Sequence, residues 1–297
     1  MFQYKTYLPV SEKEIYSTQL SYRDYFTLIK TIQNGDDDKI EEAFIRTIVN
    51  CTGDPSICTT LTNIDKLALL LNIRIMSVSD QLELTLAGKE EGSRNNVKMD
   101  LYDTLDKITN NDFVYTTKVK LAKGISAVLV IPDELRVDQS QGVVYDSIST
   151  LHVGSESFKF EEMGDDQQRK LLDALPASAG QSLKRGISKL NEFSVDVITD
   201  VSDPLKRSLL TIRLFDTSIF ETLKLIYNSS LQDQYTLRYI LTKRCNMSCE
   251  YLDTLPPTDV NTYYTLYKKE IEEEKKAHEA ATRSSNSVSL PLTPPSS

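Results

Sequence analysis

Tryptophan is absent from this chain of 297 residues, and histidine, cysteine and glycine are scarce, at two, four and ten residues. The glycines are scattered, so no Gly-rich phosphate loop and no nucleophile elbow can be built from them. No zinc-protease motif is present either. His152 and His278 have no nucleophile or ligand partner near them in sequence, and surface or packing roles are the favoured readings. These gaps remove the positive case for an enzyme. Long apolar runs are also missing. Ile64–Met76 is interrupted by Asp65, Lys66 and Arg74, and Ile125–Ile131 is too short to span a bilayer. The opening MFQYKTYLPV has no basic region followed by an apolar stretch, so it does not read as a signal peptide. The expectation is a soluble chain that stays in the cytosol where it is made, with no membrane contact.

Positive charge is in deficit too. The net charge is −9, which repels phosphate backbones and anionic lipid surfaces. Lys118, Lys120 and Lys123 share one edge of a predicted strand, but no interleaved aromatics accompany them. Nucleic acid is therefore not an expected partner.

What the chain does have is tyrosine, with 15 residues. Tyrosine combines a broad apolar face with a polar tip and suits both cores and interfaces. The hydrophobic fraction of 40% is enough for one large domain or two smaller ones.

Periodicity divides the chain into an N-terminal helical region (1–80), a hairpin-rich region (81–160), a helical C-terminal region (161–283) and a tail (284–297). Ser21 to Asp24 reads as a capping-box variant, followed by Phe26, Ile29 and Ile32 at helical spacing and a stop at Asn34-Gly35. Asp36, Asp37 and Asp38 open a second helix, where carboxylates face the positive end of the dipole. Thr62 or Asn63 caps a third helix that is apolar on more than one side, as a central helix is. The period then changes to two. Leu82, Leu84 and Leu86 form a half-buried strand, Gly88–Asn96 a polar loop, and Val97, Met99 and Leu101 the return strand. Val114–Leu121 and Ile125–Ile131 make a second hairpin around Lys123-Gly124, and residues 143–160 hold weaker strands. Beyond Glu161 the chain reads as helices at Gln167–Ala174, Gly180–Phe193, Ile219–Tyr227, Leu231–Arg244 and Ser248–Leu255, with one strand at Ser208–Phe215. Thr258 caps a long charged helix through about Ala281. The Ser- and Pro-rich tail has too little to bury and reads as disordered. The class is α+β: N-terminal helices, central antiparallel β-hairpins and a mostly helical C-terminal half.

Two groups invite a metal. Structural zinc prefers ligand pairs two to four residues apart; Cys245 and Cys249 are spaced near that range, but Cys51 and Cys58, with six residues between them around a turn, are not. Four free thiols packed as small apolar side chains are the better reading. Asp36–Asp38 lack the alternating oxygen ligands and closing Glu of a calcium loop. The expectation is no metal, no cofactor and no catalytic residue.

Two segments, taken together, carry a resemblance. The first is Leu61-x3-Asp65-x3-Leu69-Leu70-x2-Ile73-Arg74-x2-Ser77, followed at once by strand, polar loop and return strand. The second runs from Ile226-Tyr227 through Leu231-Gln232-Asp233-x-Tyr235, Leu241-x6-Ser248-x2-Tyr251 and Leu255-Pro256-Pro257-Thr258 to a charged helix with Tyr263-Tyr264 and Lys268-Lys269-Glu270. In order and spacing this resembles the T-even-type phage baseplate hub protein family, which includes hub subunits and hub assembly proteins of contractile tails. Many members of that family hold a zinc-ribbon-like pair of Cys-x-x-Cys motifs in the hairpin. Gly88–Asn96 has no cysteine, so that metal site is not inherited. The resemblance implies a non-enzymatic structural or assembly component of the baseplate hub, with other tail and baseplate proteins as partners in a symmetric hetero-oligomer. It implies residence in the host cytoplasm during assembly and in the virion tail baseplate if retained. The alternatives are a transient assembly chaperone absent from the virion, and an enzyme with a site built from distant residues.

The candidate partner-binding residues are Tyr263, Tyr264 and Tyr267. Adjacent helical residues diverge by about 100°. At least one of Tyr263 and Tyr264 therefore lies off the face shared with Tyr267. Exposed tyrosine is a frequent interface anchor; burial of both faces within the monomer is the bland alternative.

Overall fold

The computed structural model describes residues 2–87, 94–110, 114–131, 147–190, 194–199, 209–213 and 219–286. The fold is α+β, with antiparallel sheets between two helical ends.

Helix α1 (Tyr22–Asn34) starts on Ser21, whose hydroxyl accepts from the Asp24 N–H at 3.1 Å and donates to the Asp24 carboxylate at 2.7 Å. It stops at Gly35, where φ is −85° and any residue is conformationally free. Glycine sits there because of space: a Cβ would stand 2.5 Å from the Thr31 carbonyl oxygen. Helix α2 (Asp37–Thr52) is capped by Asp36, which accepts from the Lys39 N–H at 3.0 Å. Helix α3 (Asn63–Ser77) is capped by Thr62. Thirteen of its 15 residues are buried, so it is the central helix its all-round apolarity predicts.

Ahead of these helices stands a hairpin that periodicity does not reveal, β1 (Tyr4–Leu8) paired with β2 (Lys13–Ser17). Two five-residue strands carry too short an alternation to register. Polar groups of α3 hold the ribbon instead. Asp65, fully buried, accepts from the Val10 N–H at 3.0 Å and the Ser11 hydroxyl at 2.5 Å. The Asn72 amide donates to the Thr6 hydroxyl at 2.6 Å, and the Ser77 hydroxyl accepts from the Leu20 N–H at 2.7 Å. Replacing Asp65 by Ala removes the acceptor of the part-buried Val10 N–H and Ser11 hydroxyl and is expected to cost about 1 kcal/mol or more. Thermal melting measures the loss, and faster amide exchange confined to residues 4–17 locates it.

Strands β3 (Gln81–Ala87) and β4 (Arg94–Asp100) form the predicted hairpin, with Leu82 opposite Met99 and Leu84 opposite Val97, all four buried. Two boundaries differ from the expectation. Arg94, Asn95 and Asn96 belong to the return strand rather than the loop. Leu101 opens a helix, α4 (Leu101–Thr109), rather than closing the strand. The switch is made by Asp100, whose carboxylate caps the Tyr102 and Asp103 N–H groups at 2.8 and 3.3 Å.

A second sheet follows in the order β5 (Thr116–Ala122), β6 (Ile125–Val130), β7 (Ile148–Val153), β8 (Glu156–Lys159). Its first turn carries Gly124 at φ 76°. Helices α5 (Asp165–Asp173) and α6 (Ala177–Leu190) come next, with Pro176 between them. This sheet and α6 enclose their own core, in which Leu121, Leu129, Leu151 and Leu183 meet.

Strand β9 (Ser194–Thr199), which the periodicity does not single out, pairs with β4, and β10 (Leu209–Arg213) pairs with β9. They extend the first hairpin to four strands in the order β10-β9-β4-β3. The C-terminal helices are α7 (Ile219–Ile226), α8 (Leu231–Lys243), α9 (Cys249–Thr254) and α10 (Pro257–Asn286). Helix α10 starts at Pro257, one residue before the expected cap; proline at the first helical position loses no hydrogen bond. It also takes in Ser284, Ser285 and Asn286 from the expected tail, whose residues 287–297 lie outside the described residues.

The C-terminal helices return to the N-terminal ones. Phe220 and Tyr227 stand edge-on to Phe44 at 6.2 and 5.7 Å, and the Tyr227 hydroxyl donates to the Leu70 carbonyl at 2.7 Å. The Tyr22 N–H donates to the Leu255 carbonyl at 2.7 Å. One core is thus shared by residues more than 150 positions apart.

Candidate interaction surface

Helix α8 lies on α1 with Tyr235 edge-on to Phe26 at 5.1 Å. Arg238, one turn on, stacks its guanidinium 5.8 Å from the same Phe26 ring. It also forks onto Asp253 of α9 with two hydrogen bonds, at 2.5 and 3.1 Å. Bidentate geometry fixes orientation as well as distance, so α8 and α9 are locked to each other and to α1. The Asp253 carboxylate in turn holds the Arg238 guanidinium above its usual pKa. Fifteen residues separate the two partners, and no spacing rule in the sequence points to the pair.

On this support sit exposed tyrosines. Tyr235 and Tyr239 are one turn apart on α8, Tyr251 is on α9 and Tyr263 on α10, with Leu266 beside it. Tyr239 is 59% exposed and Tyr263 38%. The neighbouring Tyr251 hydroxyl raises the Tyr263 phenol pKa. Tyr264 and Tyr267 are half-buried, on the stripe of the fully buried Val260. Tyr264 packs against the first core, and the Lys268 ammonium lies 4.4 Å from its ring centre. Of the three candidate tyrosines, Tyr263 is exposed and Tyr264 and Tyr267 are half-buried; Tyr264 is turned about 100° from Tyr263, and Tyr267 lies between the two directions.

The other residues singled out in the sequence are placed as follows. Asp36 caps α2 and Asp37 reaches Lys224 at 3.4 Å, so both serve the start of that helix. Lys118 and Lys120 face outward on edge strand β5, and Lys123 is exposed at its turn; charge on an edge discourages strand addition. His152 is half-buried in β7 opposite Ser126 and Ser157, and His278 is exposed on α10. All four cysteines are free thiols. Cys51 is buried at the end of α2, and desolvation pushes its pKa up to about 12. Cys58 is half-buried, while Cys245 and Cys249 are exposed. A thiol reagent at pH 8 is expected to modify Cys245 and Cys249 promptly, Cys58 slowly, and Cys51 only on unfolding. Peptide mapping after timed labelling checks the order; early labelling of Cys51 contradicts the burial. Among the described residues, no group of three or more His, Cys, Asp or Glu side chains is placed to hold a metal ion, and no helix is long and apolar enough to cross a membrane.

Aromatic side chains are enriched at protein interfaces relative to the rest of the surface. Residues 1–204 match the family described as T4 bacteriophage base plate protein. The chain belongs to that family and is a phage baseplate protein. The match takes in Leu61–Ser77 and the β3–β4 hairpin and ends before the segment from Ile226. No curated protein and no solved structure matches the chain.

Proposed function

We propose that this chain is a non-enzymatic component of the baseplate hub, and that it holds neighbouring tail proteins through the tyrosine surface of α8, α9 and α10. The family membership supports a baseplate role, and the order of motifs that continues through Tyr263-Tyr264 supports the hub in particular. The observation that carries the surface is the exposure of Tyr235, Tyr239, Tyr251, Tyr263 and Leu266 on helices otherwise locked to the body. Aromatic side chains on a rigid support lose little entropy on binding and form strong anchors.

The test uses the full chain expressed in infected cells and recovered by an affinity tag. Wild type is expected to bring down tail proteins. Tyr239→Ala with Tyr263→Ala is expected to reduce that recovery about tenfold or more, a loss above about 1.4 kcal/mol. At Tyr239, the more exposed, the substitution is expected to cost within about 0.5 kcal/mol. Tyr263, 38% exposed and bonded to Tyr251, costs more, and a retained cooperative melt of the double variant shows that the fold is kept. Tyr264→Ala is expected to lower the melting temperature, because the ring packs on the core. Undiminished recovery by the double variant rejects the surface. Mass spectrometry of purified virions separates a resident component, found in the particle, from an assembly factor, missing from it.

A further inference from the structure

A cleft of about 950 Å³ runs between α1 and α2, with α9 forming its third wall. Its floor is Leu28, Ala43, Thr27, Thr31 and Thr47. The three threonine hydroxyls donate to carbonyls four residues back in their own helices, at 2.8, 2.9 and 2.9 Å. Their donor protons are spent there, so toward the cleft they have methyl groups and acceptor oxygens to offer. On the walls, Lys39 is paired with Asp36, Asp253 with Arg238, and Asp24 with the Ser21 hydroxyl. Arg23 on α1 and Arg46 on α2 are exposed, and neither has an ion-pair partner among the described residues. A shallow apolar floor between two uncommitted guanidiniums fits a helix that carries carboxylates beside small side chains.

The same chain presents such a helix. Helix α10 has 30 residues and is roughly 45 Å long. Its side chains from Glu272 to Ala281 are all exposed. Glu273, Glu274, Ala277 and Ala280 fall on one face, at positions i, i+1, i+4 and i+7. Lys276, beside that face, can answer Glu42 and Glu250 on the cleft rim. Thr254 lines the cleft and α10 starts three residues later at Pro257, so arm and cleft share one end of the molecule. That adjacency suits a reciprocal exchange between two copies, in which each arm lies on the other's cleft.

We propose that α10 of a second copy seats in the α1–α2 cleft, with Glu273 and Glu274 against Arg23 and Arg46 and Ala277 on the methyl floor. The pairing is a two-fold self-association of the chain. Sedimentation of the full chain at about 100 µM in low salt is expected to show a dimer that weakens as salt rises. Arg23→Glu with Arg46→Glu, and separately Glu273→Arg with Glu274→Arg, are each expected to raise the dimer dissociation constant about tenfold or more. All four positions are exposed, and unchanged melting temperatures show that the fold is kept. Combining the four substitutions in one chain is expected to restore the dimer, because the charges are then reversed on both sides. In the wild-type dimer, residues 272–281 should exchange amide hydrogens more slowly than in either monomeric variant. A wild-type chain that sediments as a monomer overturns the proposal. So does a dimer indifferent to the charge reversals, or a fourfold variant that stays monomeric.

Discussion

Tyr227→Ala is expected to remove about 3–5 kcal/mol of stability, the range for deleting a fully buried aromatic ring. Tyr227 has no exposed surface. Its ring stands edge-on to Phe44 at 5.7 Å, and its hydroxyl donates to the Leu70 carbonyl of the central helix at 2.7 Å. Tyr227→Phe keeps the ring and loses only the hydrogen bond, so a loss of about 1 kcal/mol is expected. Urea unfolding of the two variants separates packing from hydrogen bonding; equal losses contradict the division. Burial also raises the Tyr227 phenol well above its ordinary pKa of 10.0. Since the folded value is the higher one, the associated stability is complete below pH 10.0 and falls as pH rises toward the folded pKa. The same contacts bear on the family boundary. Residues 1–204 match the family, yet Phe220 and Tyr227, which cover Phe44 and Leu70, come after them. A chain cut at residue 204 is expected to expose this core and to lose the cooperative unfolding transition of the full chain.

Gly186→Ala is expected to destabilise, against the rule for glycine in helices. Propensity alone favours alanine by about 1 kcal/mol. At position 186 a Cβ would stand 2.5 Å from Leu129 Cδ1 and 2.6 Å from Val119 Cγ1. Both are branched side chains of the sheet that α6 covers, so either they or the helix must shift. Overpacking of this kind costs about 1–3 kcal/mol, which cancels the propensity gain and, over most of that range, reverses it. Gly180, in the same helix, has open space where a Cβ would stand, with nothing within 4 Å. Gly180→Ala is therefore expected to stabilise by about 0.5–1 kcal/mol. Opposite shifts in melting temperature for the two variants confirm the close approach. Val119→Ala in the Gly186→Ala background removes the Cγ1 that clashes and is expected to cost less than Val119→Ala in wild type.

Much of the fold was legible because its signals are local. Ser21, Asp36 and Thr62 cap their helices with their own side chains, and a cap needs only three neighbouring residues. The hairpin of β3 and β4 shows in the alternation of Leu82 and Leu84 with Val97 and Met99. The divergence of Tyr263 from Tyr264 follows from helical spacing alone. Hidden features depended on partners far along the chain. The β1–β2 ribbon is held by Asp65 and Asn72, more than 50 residues away. Strand β9 pairs with β4 across about a hundred residues, Val97 opposite Thr199. Short strands carry little periodic signal, and a backbone hydrogen bond reads the same whichever segment supplies the acceptor. Sequence by itself therefore determined the α+β class, the main helices and the tyrosine-rich C-terminal region. Tertiary structure decided which tyrosines point outward from the body, which arginines stand unpaired beside a cleft, and where Gly186 must let a helix touch a sheet. Each of those depends on which distant segment occupies the neighbouring space, and local spacing does not encode that.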